Sequence, residues 1–235
     1  MKNEDTFKRY SRQIFINEIG LEGQKKIIAA KVLVIGAGGL GSPVIQYLAA
    51  AGVGTLAVMD FDHVELHNLN RQIIHTETGI GKLKIESAEQ FVEQLNHQIH
   101  FIGIGQKIDG SNAVEIISQY DIVVDGSDNF TTRYLMNDTC VKLGKALVYG
   151  SILGFSGQVA VFNHDGSKNL RDLFPEPPVE EMPDCDSLGV LGALPGIIGS
   201  MMALQALKLI VGLSVNVNQL TLMDALEWRF QTLDF

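Results

Sequence analysis

The protein has 235 residues, of which 46% are hydrophobic and 19% are charged. This length is enough for one large α/β domain with a full core, and the composition is that of a folded globular protein rather than a disordered one. The formal net charge of −9 at pH 7 argues against a nucleic-acid backbone as the main partner, because phosphate contacts need a basic protein face.

The two cysteines, Cys140 and Cys185, lie far apart in dissimilar surroundings. They imply neither a disulfide framework nor a zinc ribbon. Cys140 falls on the apolar side of a predicted helix, where a thiol is inert core. Residues 1–6 are charged and lack the apolar stretch of a signal peptide, so we predict a cytoplasmic protein.

Residues 7–30 show the apolar spacing of two short helices, with Gly20 as the expected stop between them. Tyr10 and Ile14 belong to the apolar face of the first helix. Arg12 falls off that face, and its spacing alone indicates only a solvated surface charge.

Residues 32–60 read as strand, glycine loop, helix and strand, which is the order of a nucleotide-binding βαβ unit. Within this stretch Gly36, Gly38 and Gly41 fit the pattern G-x-G-x-x-G. The three glycines serve a tight turn, a close approach of backbone to phosphate, and the packing of helix on strand. The order of elements around the motif favours a binding loop over a turn that merely packs.

Two residues around the glycine loop support the same interpretation. Pro43 sits in the first turn of the helix, where proline is tolerated and free N–H groups can point at an anion. Asp60 ends the next strand at the offset where an acidic side chain binds ribose hydroxyls. The pattern does not choose among NAD, FAD, S-adenosylmethionine and ATP.

A polar segment from residue 61 to residue 72 follows this strand, at the end of the sheet where ligands bind in open α/β folds. Asn68 and Asn70 can hydrogen-bond a ribose or a base. Arg71 offers a planar fork of donors suited to phosphate oxygens. His67 is interpreted as an exposed loop residue.

Residues 81–95 show the spacing of an amphipathic helix, with Lys82 and Lys84 in its predicted first turn. The helix dipole disfavours cations at that end. A nearby anion would relieve this cost, which favours a binding role for Lys84 over a surface one.

Residues 99–104 read as a third strand, 112–119 as a helix, and 121–125 as a fourth, fully buried strand. Asp128 follows the fourth strand and is a candidate Mg²⁺ ligand, since this ion takes one or two carboxylates together with substrate phosphates. Its alternative role is to cap the helix predicted over 131–142.

Residues 146–149 read as a fifth strand, and residues 158–162 as a half-buried strand where the sheet turns antiparallel. Residues 163–187 read as a long crossover loop over the active site, and residues 188–213 as a buried apolar helix. Two short strands, over 219–224 and 228–232, close the chain. The apolar stretch is interrupted by polar, glycine and proline residues and lacks basic flanks, so we predict no membrane span. The fold class is α/β: a Rossmann-like doubly wound sheet in three α/β/α layers, mostly parallel, with antiparallel strands toward the C-terminus.

Cys185 allows two interpretations. Aspartates on both sides should raise the pKa of its thiol by charge repulsion and make it sluggish. Alternatively, it is a nucleophile or a sulfur acceptor at the edge of a helix.

Several motifs, taken together, carry a resemblance to a known family: Arg9-Tyr10-Ser11-Arg12-Gln13-Ile14, the loop Gly36 to Ser42, Asp60-Phe61-Asp62, Asn68-Leu69-Asn70-Arg71-Gln72, Lys84, Ser127-Asp128-Asn129, and Cys185 before Gly189-Val190-Leu191-Gly192. They resemble the ThiF/MoeB/HesA family of adenylyltransferases, which activate ubiquitin-like sulfur-carrier proteins and are similar to the adenylation domain of ubiquitin-activating enzymes. The resemblance runs from Arg9 to Arg229. It implies that residues 1–235 form a single ThiF-type adenylation domain, with N-terminal helices over 1–30.

The resemblance implies ATP and Mg²⁺ as ligands, a homodimer, and a small β-grasp sulfur-carrier protein ending in Gly-Gly as the partner. It implies a nucleotide site formed by Gly36, Gly38, Gly39, Gly41, Asp60, Asp62, Asn68, Asn70, Arg71, Gln72, Lys84, Asp128 and Asn129. Arg71, Lys84 and Asp128 would serve catalysis, with Asp128 on the metal. Arg12 would reach the phosphates bound by the other subunit.

The chain departs from many relatives in one respect. Their structural zinc is held by two C-x-x-C motifs, but residues 169–172 and 232–235 contain no cysteine here, so we predict no zinc site. By the same resemblance, Cys185 aligns with a cysteine that can join the activated carrier through sulfur in ThiF-type members.

Three functions are compared. The first is ATP-dependent adenylation of a sulfur carrier for thiamine-thiazole or molybdenum-cofactor biosynthesis. The second, an NAD-dependent oxidoreductase, has no need of the phosphate clamp that Arg71, Lys84 and Asp128 suggest. The third is a non-catalytic subunit that binds the carrier, and the presence of every charged clamp residue argues against it.

Overall fold

A computed structural model describes residues 4–178 and 189–235 of the chain. They build one eight-stranded sheet in the order β3-β2-β1-β4-β5-β6-β7-β8. The strands are β1 (Lys31–Ile35), β2 (Thr55–Met59), β3 (His100–Ile104), β4 (Ile122–Asp125), β5 (Ala146–Leu153), β6 (Ser156–Phe162), β7 (Gln219–Asp224) and β8 (Arg229–Asp234).

Helices flank this sheet on both faces. They are α1 (Glu4–Ile14), α2 (Gly20–Ala29), α3 (Gly41–Ala51), α4 (Lys84–Leu95), α5 (Ala113–Ser118), α6 (Phe130–Leu143), the short α7 (Leu170–Leu173) and α8 (Ala193–Val211), with 3₁₀ turns over Leu66–Asn68 and Glu77–Gly79. The residue pattern of β1 explains the three layers, because neighbouring side chains of a strand point to opposite faces. Val32 and Val34 pack in the layer of α3, α4 and α8, whereas Leu33 and Ile35 pack in the layer of α5 and α6.

The first five strands of the sheet pair in parallel, and β6, β7 and β8 continue it antiparallel. The strand order reverses between β1 and β4, which is where open α/β sheets bind their ligands. The predicted Rossmann-like α/β class and the antiparallel C-terminal strands are confirmed.

The apolar helix α8 lies against α3 and the sheet. Glycines allow this close packing: a Cβ on Gly199 would collide with Pro43, and one on Gly150 would collide with Met202. Among the described helices, α8 is long and apolar enough to cross a membrane, with mean hydropathy 1.6, yet 44% of that stretch is buried inside the fold. The predicted position against the sheet is confirmed.

The N-terminal helices are confirmed, with one correction. Gly20 does not stop a helix; it is the first residue of α2, at φ +56°. Tyr10 anchors α1, because its buried hydroxyl accepts a hydrogen bond of 2.8 Å from Asn96 at the end of α4.

The helix predicted over 81–95 begins later, at Lys84. Gly81 at φ +85° turns the chain, and His63 and Leu83 form an isolated antiparallel bridge just before the helix. Lys82 therefore lies outside the first turn, contrary to the prediction. The tertiary bridge overrides the local helical spacing.

The last strand begins and ends later than predicted. The last strand was predicted over 228–232, but Trp228 adopts φ +52° in the turn and the strand runs over Arg229–Asp234.

Of the predicted crossover loop, residues 163–178 are described. They pack on α6 through Arg171, whose guanidinium pairs with Asp138 at 2.7 and 2.8 Å.

Candidate functional site

The glycine loop between β1 and α3 is shaped by two glycines that no other residue can replace without distortion. Gly36 adopts φ +94° and donates its N–H to the Met59 carbonyl at 2.8 Å. A Cβ here would lie 2.7 Å from the Gly126 carbonyl oxygen, and one on Gly41 would collide with the Gly36 carbonyl. The first and last glycines therefore serve the turn and the packing, as predicted.

Gly38, the middle glycine, is different. A Cβ built on Gly38 would meet only the Nε2 atom of Gln72, at 3.8 Å, which is ordinary contact. The fold itself therefore does not require glycine here. A glycine that the fold does not require is explained by a ligand that approaches the backbone.

This difference gives a prediction. Gly38→Ala should leave the free energy of unfolding nearly unchanged and raise the KM for the nucleotide, because the added methyl group would occupy the open space predicted to receive phosphate. Gly41→Ala, the matched control, should destabilise the fold by about 1–3 kcal/mol through overpacking. Thermal unfolding and nucleotide titration of both variants measure this. A destabilised Gly38→Ala, or one with unchanged nucleotide affinity, would contradict it.

Asp60 shapes the loop from the end of β2. Its carboxylate is 8% exposed and accepts N–H hydrogen bonds from Ala37 and Asp62, each at 2.8 Å. Burial raises the pKa of Asp60, and the positive charge of Lys84 works against that rise. Ribose binding by Asp60 stays a prediction.

Lys84 is the first residue of α4 and is only 7% exposed. Its Nζ lies 2.8 Å from Oδ2 of Asp62, and its N–H donates to the Asp62 carbonyl at 2.8 Å. Asp62 is thus an anion that relieves the unfavourable position of a cation at a helix N-terminus. The pair brings a buried ammonium group to the loops that follow β1 and β2.

Arg71 lies beside the glycine loop: a Cβ on Gly39 would come within 3.7 Å of its Cγ. The guanidinium Nη1 donates to the His67 carbonyl at 2.9 Å and to Oδ1 of Asn70 at 3.1 Å. These contacts within one loop direct the side chain. The segment predicted from its polarity therefore reaches the glycine loop.

The other amides of this segment divide into two groups. Asn68 is buried and accepts the Glu65 N–H at 3.0 Å, so its side chain closes its own 3₁₀ turn. Gln72 is 4% exposed, and its buried Oε1 has no hydrogen-bond partner among the described residues. An unpaired buried amide oxygen beside Gly38 fits a site that a polar ligand completes.

Asp128 and Asn129 follow β4. Asn129, not Asp128, caps α6, because its side-chain oxygen accepts the Thr132 N–H at 2.9 Å. The alternative role considered for Asp128 is therefore wrong, and its exposed carboxylate contacts only the Asn129 amide, at 3.2 Å, in the bonds described. This leaves Asp128 available to a cation.

A buried ionic cluster holds the loop that carries Asp128. The fully buried Asp125 accepts the N–H and the hydroxyl of Ser127 at 2.9 and 2.6 Å. Arg133 donates to the Ser127 carbonyl at 2.9 Å and to the Tyr149 hydroxyl at 3.1 Å. Burial raises the pKa of Asp125, and the positive Arg133 opposes the rise. Ser127 is thereby fixed at its N–H, its side chain and its carbonyl.

Arg12 lies exposed in the last turn of α1. Cys140 is fully buried, and burial raises the pKa of its thiol to about 12. It is inert core, as predicted. Cys185 lies outside the described residues, so both interpretations of its thiol stay predictions.

In the ranges 4–178 and 189–235, no group of three His, Cys, Asp or Glu side chains is close enough to hold a metal ion. Phosphate oxygens and water would serve as further ligands of a Mg²⁺ ion at Asp128. That ligand set is common for Mg²⁺ in nucleotide-dependent enzymes.

The sequence profile of the ThiF family matches residues 10–235. The chain belongs to the ThiF family. It is 46% identical over 233 residues to the adenylyltransferase and sulfurtransferase MOCS3 of Aedes aegypti, which covers 98% of this chain and 53% of that protein. It is 45% identical over 232 residues to the sulfur carrier protein adenylyltransferase of Thermus thermophilus, covering 96% of this chain and 86% of the relative. The chain thus spans about half the length of the MOCS3 relatives.

Solved structures share the fold of this ThiF-family chain. E. coli MccB with ATP superposes with a TM-score of 0.84 at 21% identity, over 96% of this chain and 71% of MccB. PaaA superposes with a TM-score of 0.80 at 20% identity, over 99% of this chain and 74% of PaaA. At these identities the likeness concerns the fold.

Two buried residues beside the candidate site, Arg133 and His75, are not among the sequence predictions. Arg133 was read only as part of a helix, although a cation one turn after a capping Asn points back toward the strand end. His75 was passed over between a polar loop and a helix; it is 5% exposed and bonded to the glycine loop. His75 has no local pattern that distinguishes it from a surface position.

Proposed function

We propose that this protein adenylates the C-terminal glycine carboxylate of a small β-grasp sulfur-carrier protein with ATP and releases pyrophosphate. The observation that carries the proposal is the open space at Gly38, bordered by the amide of Gln72, with the stem of Arg71 beside the neighbouring Gly39. The names of the MOCS3 and Thermus thermophilus relatives support the same activity. Thiamine-thiazole and molybdenum-cofactor biosynthesis are the pathways proposed for the carrier.

The reaction brings two negatively charged groups together. An oxygen of the carrier carboxylate forms a bond to the α-phosphorus, and the bond to the bridging oxygen breaks, so that pyrophosphate leaves with the electron pair. The carboxylate is already ionised at neutral pH and needs no general base. The protein's task is therefore to position the reactants and to neutralise charge.

Three side chains would divide this task. Arg71 offers two parallel donors to phosphate oxygens, and Lys84 supplies a nearly dehydrated positive charge, which acts more strongly than one in water. Asp128 would hold Mg²⁺, which neutralises charge on the phosphates when bound. Asp60 would hold the ribose, and Asn70 and Gln72 would hydrogen-bond the nucleotide.

We also propose that the protein acts as a cytoplasmic homodimer in which Arg12 reaches the partner subunit's nucleotide. The outward face of α8 supports this. Ile197, Met201 and Leu204 of α8 line an open groove with Tyr47 of α3 and Ile73. An apolar groove of this kind is typical of a subunit interface.

The experiment that tests the function is ATP–pyrophosphate exchange with candidate carriers, each supplied intact and without its terminal Gly-Gly. Exchange is expected only with an intact tail, because the terminal carboxylate is the nucleophile. Asp128→Asn should require more Mg²⁺ for half-maximal exchange. Exchange with the truncated carrier, or tight NAD binding without exchange, would contradict the proposal.

A further inference from the structure

His75 lies between the glycine loop and α4 and is only 5% exposed. Its Nε2 is 2.9 Å from the Ala37 carbonyl oxygen, and its Nδ1 is 2.9 Å from Oγ of Ser87. The side chain follows Gln72 by three residues, yet the sites proposed above do not use it. A buried imidazole with both nitrogens bonded is a specific arrangement.

The Ala37 carbonyl shows which ring nitrogen of His75 carries a proton. A carbonyl oxygen can only accept, so Nε2 carries the proton and donates to Ala37. In the neutral ring, Nδ1 then accepts from the Ser87 hydroxyl. Burial lowers the pKa of His75, and the positive Lys84 lowers it further, against the hydrogen bond to Ala37.

The imidazole links the loop to the helix that carries Lys84. Ala37 is held on both sides: its N–H donates to Asp60 at 2.8 Å, and its carbonyl accepts from His75. Ser87 lies in the first turn of α4, whose first residue is Lys84. One neutral ring therefore sets the separation between the backbone before Gly38 and the buried ammonium group.

We propose that His75 is a positioning residue for nucleotide binding, which holds the glycine loop and Lys84 in register while neutral and releases them when protonated. The proposal rests on the proposed function. A protonated ring carries a second N–H at Nδ1, so the Ser87 hydroxyl must turn from donor to acceptor in this contact. The added charge is also buried beside Lys84, with Asp60 and Asp62 already engaged by Ala37 and Lys84.

The direction of the pH effect follows from the lowered pKa. Between the folded and the unfolded pKa, the unfolded chain binds more protons at this residue than the native protein does. The glycine loop and Lys84 are therefore fully held in place above the ordinary histidine pKa. This arrangement is lost as the pH falls through the pKa of His75 in the folded protein. Exchange activity should decline on the acid side for this reason.

Three variants test the proposal in ATP–pyrophosphate exchange between about pH 5 and pH 8. His75→Gln can still donate to Ala37 and accept from Ser87 but does not titrate. It should keep near-normal kcat/KM at neutral pH. The acid limb of its pH–activity profile, the range in which exchange falls with decreasing pH, should move to lower pH. His75→Phe should raise the KM for ATP about tenfold or more. Ser87→Ala, which removes only the hydrogen bond to Nδ1 of His75, should have a KM for ATP between those of His75→Gln and His75→Phe.

The outcomes separate positioning from folding. If His75→Phe unfolds, His75→Gln still decides, because a purely structural role would leave the acid limb where the wild type has it. An unchanged acid limb in His75→Gln, or an unchanged kcat/KM in a folded His75→Phe, would overturn the proposal.

A second readout does not depend on the carrier. Histidine ¹⁵N NMR of the wild-type protein should show a neutral ring with the proton on Nε2 and a pKa below its ordinary value. A non-hydrolysable ATP analogue should bind more weakly as His75 protonates. Failure of exchange with every carrier would sink the proposed function alone, whereas a proton on Nδ1 at neutral pH would sink this inference alone.

Discussion

Arg71→Ala is expected to lower ATP–pyrophosphate exchange by about 10²–10³-fold, the usual effect of removing one donor from developing negative charge. The bonds described for Arg71, to His67 and Asn70, lie within its own loop. Thermal unfolding of the variant, measured alongside, separates this loss of activity from any loss of stability. Arg71→Lys keeps the charge but not the planar fork of donors, so its exchange activity should lie between that of the wild type and that of Arg71→Ala.

The same variant tests whether Arg12 acts across a dimer. Arg12→Ala and Arg71→Ala should each be nearly inactive, but a heterodimer of the two has one complete site if Arg12 acts in trans. An equal mixture that exchanges subunits freely should recover about a quarter of wild-type activity by random C₂ pairing. No recovery after verified subunit exchange would place Arg12 in its own subunit's site or outside any site.

Arg133→Met is expected to destabilise the fold by about 3–5 kcal/mol, because it removes two buried hydrogen bonds and the positive charge that acts on the buried Asp125. Asp125 is fully buried, and its Oδ2 has no hydrogen-bond partner among the described residues. Loss of Arg133 also frees the Ser127 carbonyl and the loop that carries Asp128. Exchange activity should therefore fall together with stability.

The penalty of Arg133→Met should depend on pH. Burial already raises the pKa of Asp125, and loss of the opposing arginine raises it further. Above the unfolded carboxyl pKa the native variant then binds more protons than the unfolded chain, so its stability falls as the pH rises toward neutral. Denaturant unfolding of the variant at about pH 4.5 and pH 7.5 should show the smaller loss at the lower pH.

A double variant supplies the control for this prediction. Asp125→Asn with Arg133→Met removes both charges, so it should be more stable than Arg133→Met alone. A coupling energy within about 0.3–0.5 kcal/mol of zero would show that the two side chains do not interact. A loss from Arg133→Met that is independent of pH would equally contradict a buried charge as its cause.

Much of the fold followed from local patterns. The apolar run of β1, the glycine motif and Asp60 predicted the βαβ unit, because strand and helix periodicity are written in neighbouring residues. Arg71 and Lys84 were found as candidate phosphate ligands from residue type and position. One error fell where a distant contact sets the backbone, at Gly81 and Leu83, whereas the cap of α6 and the turn at Trp228 are local features placed one residue away from their predicted positions.

The sequence by itself determined the α/β class, and it predicted a ligand site at the ends of β1, β2 and β4 from residue types able to bind phosphate. Only the tertiary structure decided which glycine is open to a ligand, that Asp62 pairs with Lys84, and that His75 and Arg133 fix the loops around them. Secondary structure depends on spacing within a few residues. Buried polar partners depend on which distant segments the folded sheet brings together, and a single sequence does not contain those distances.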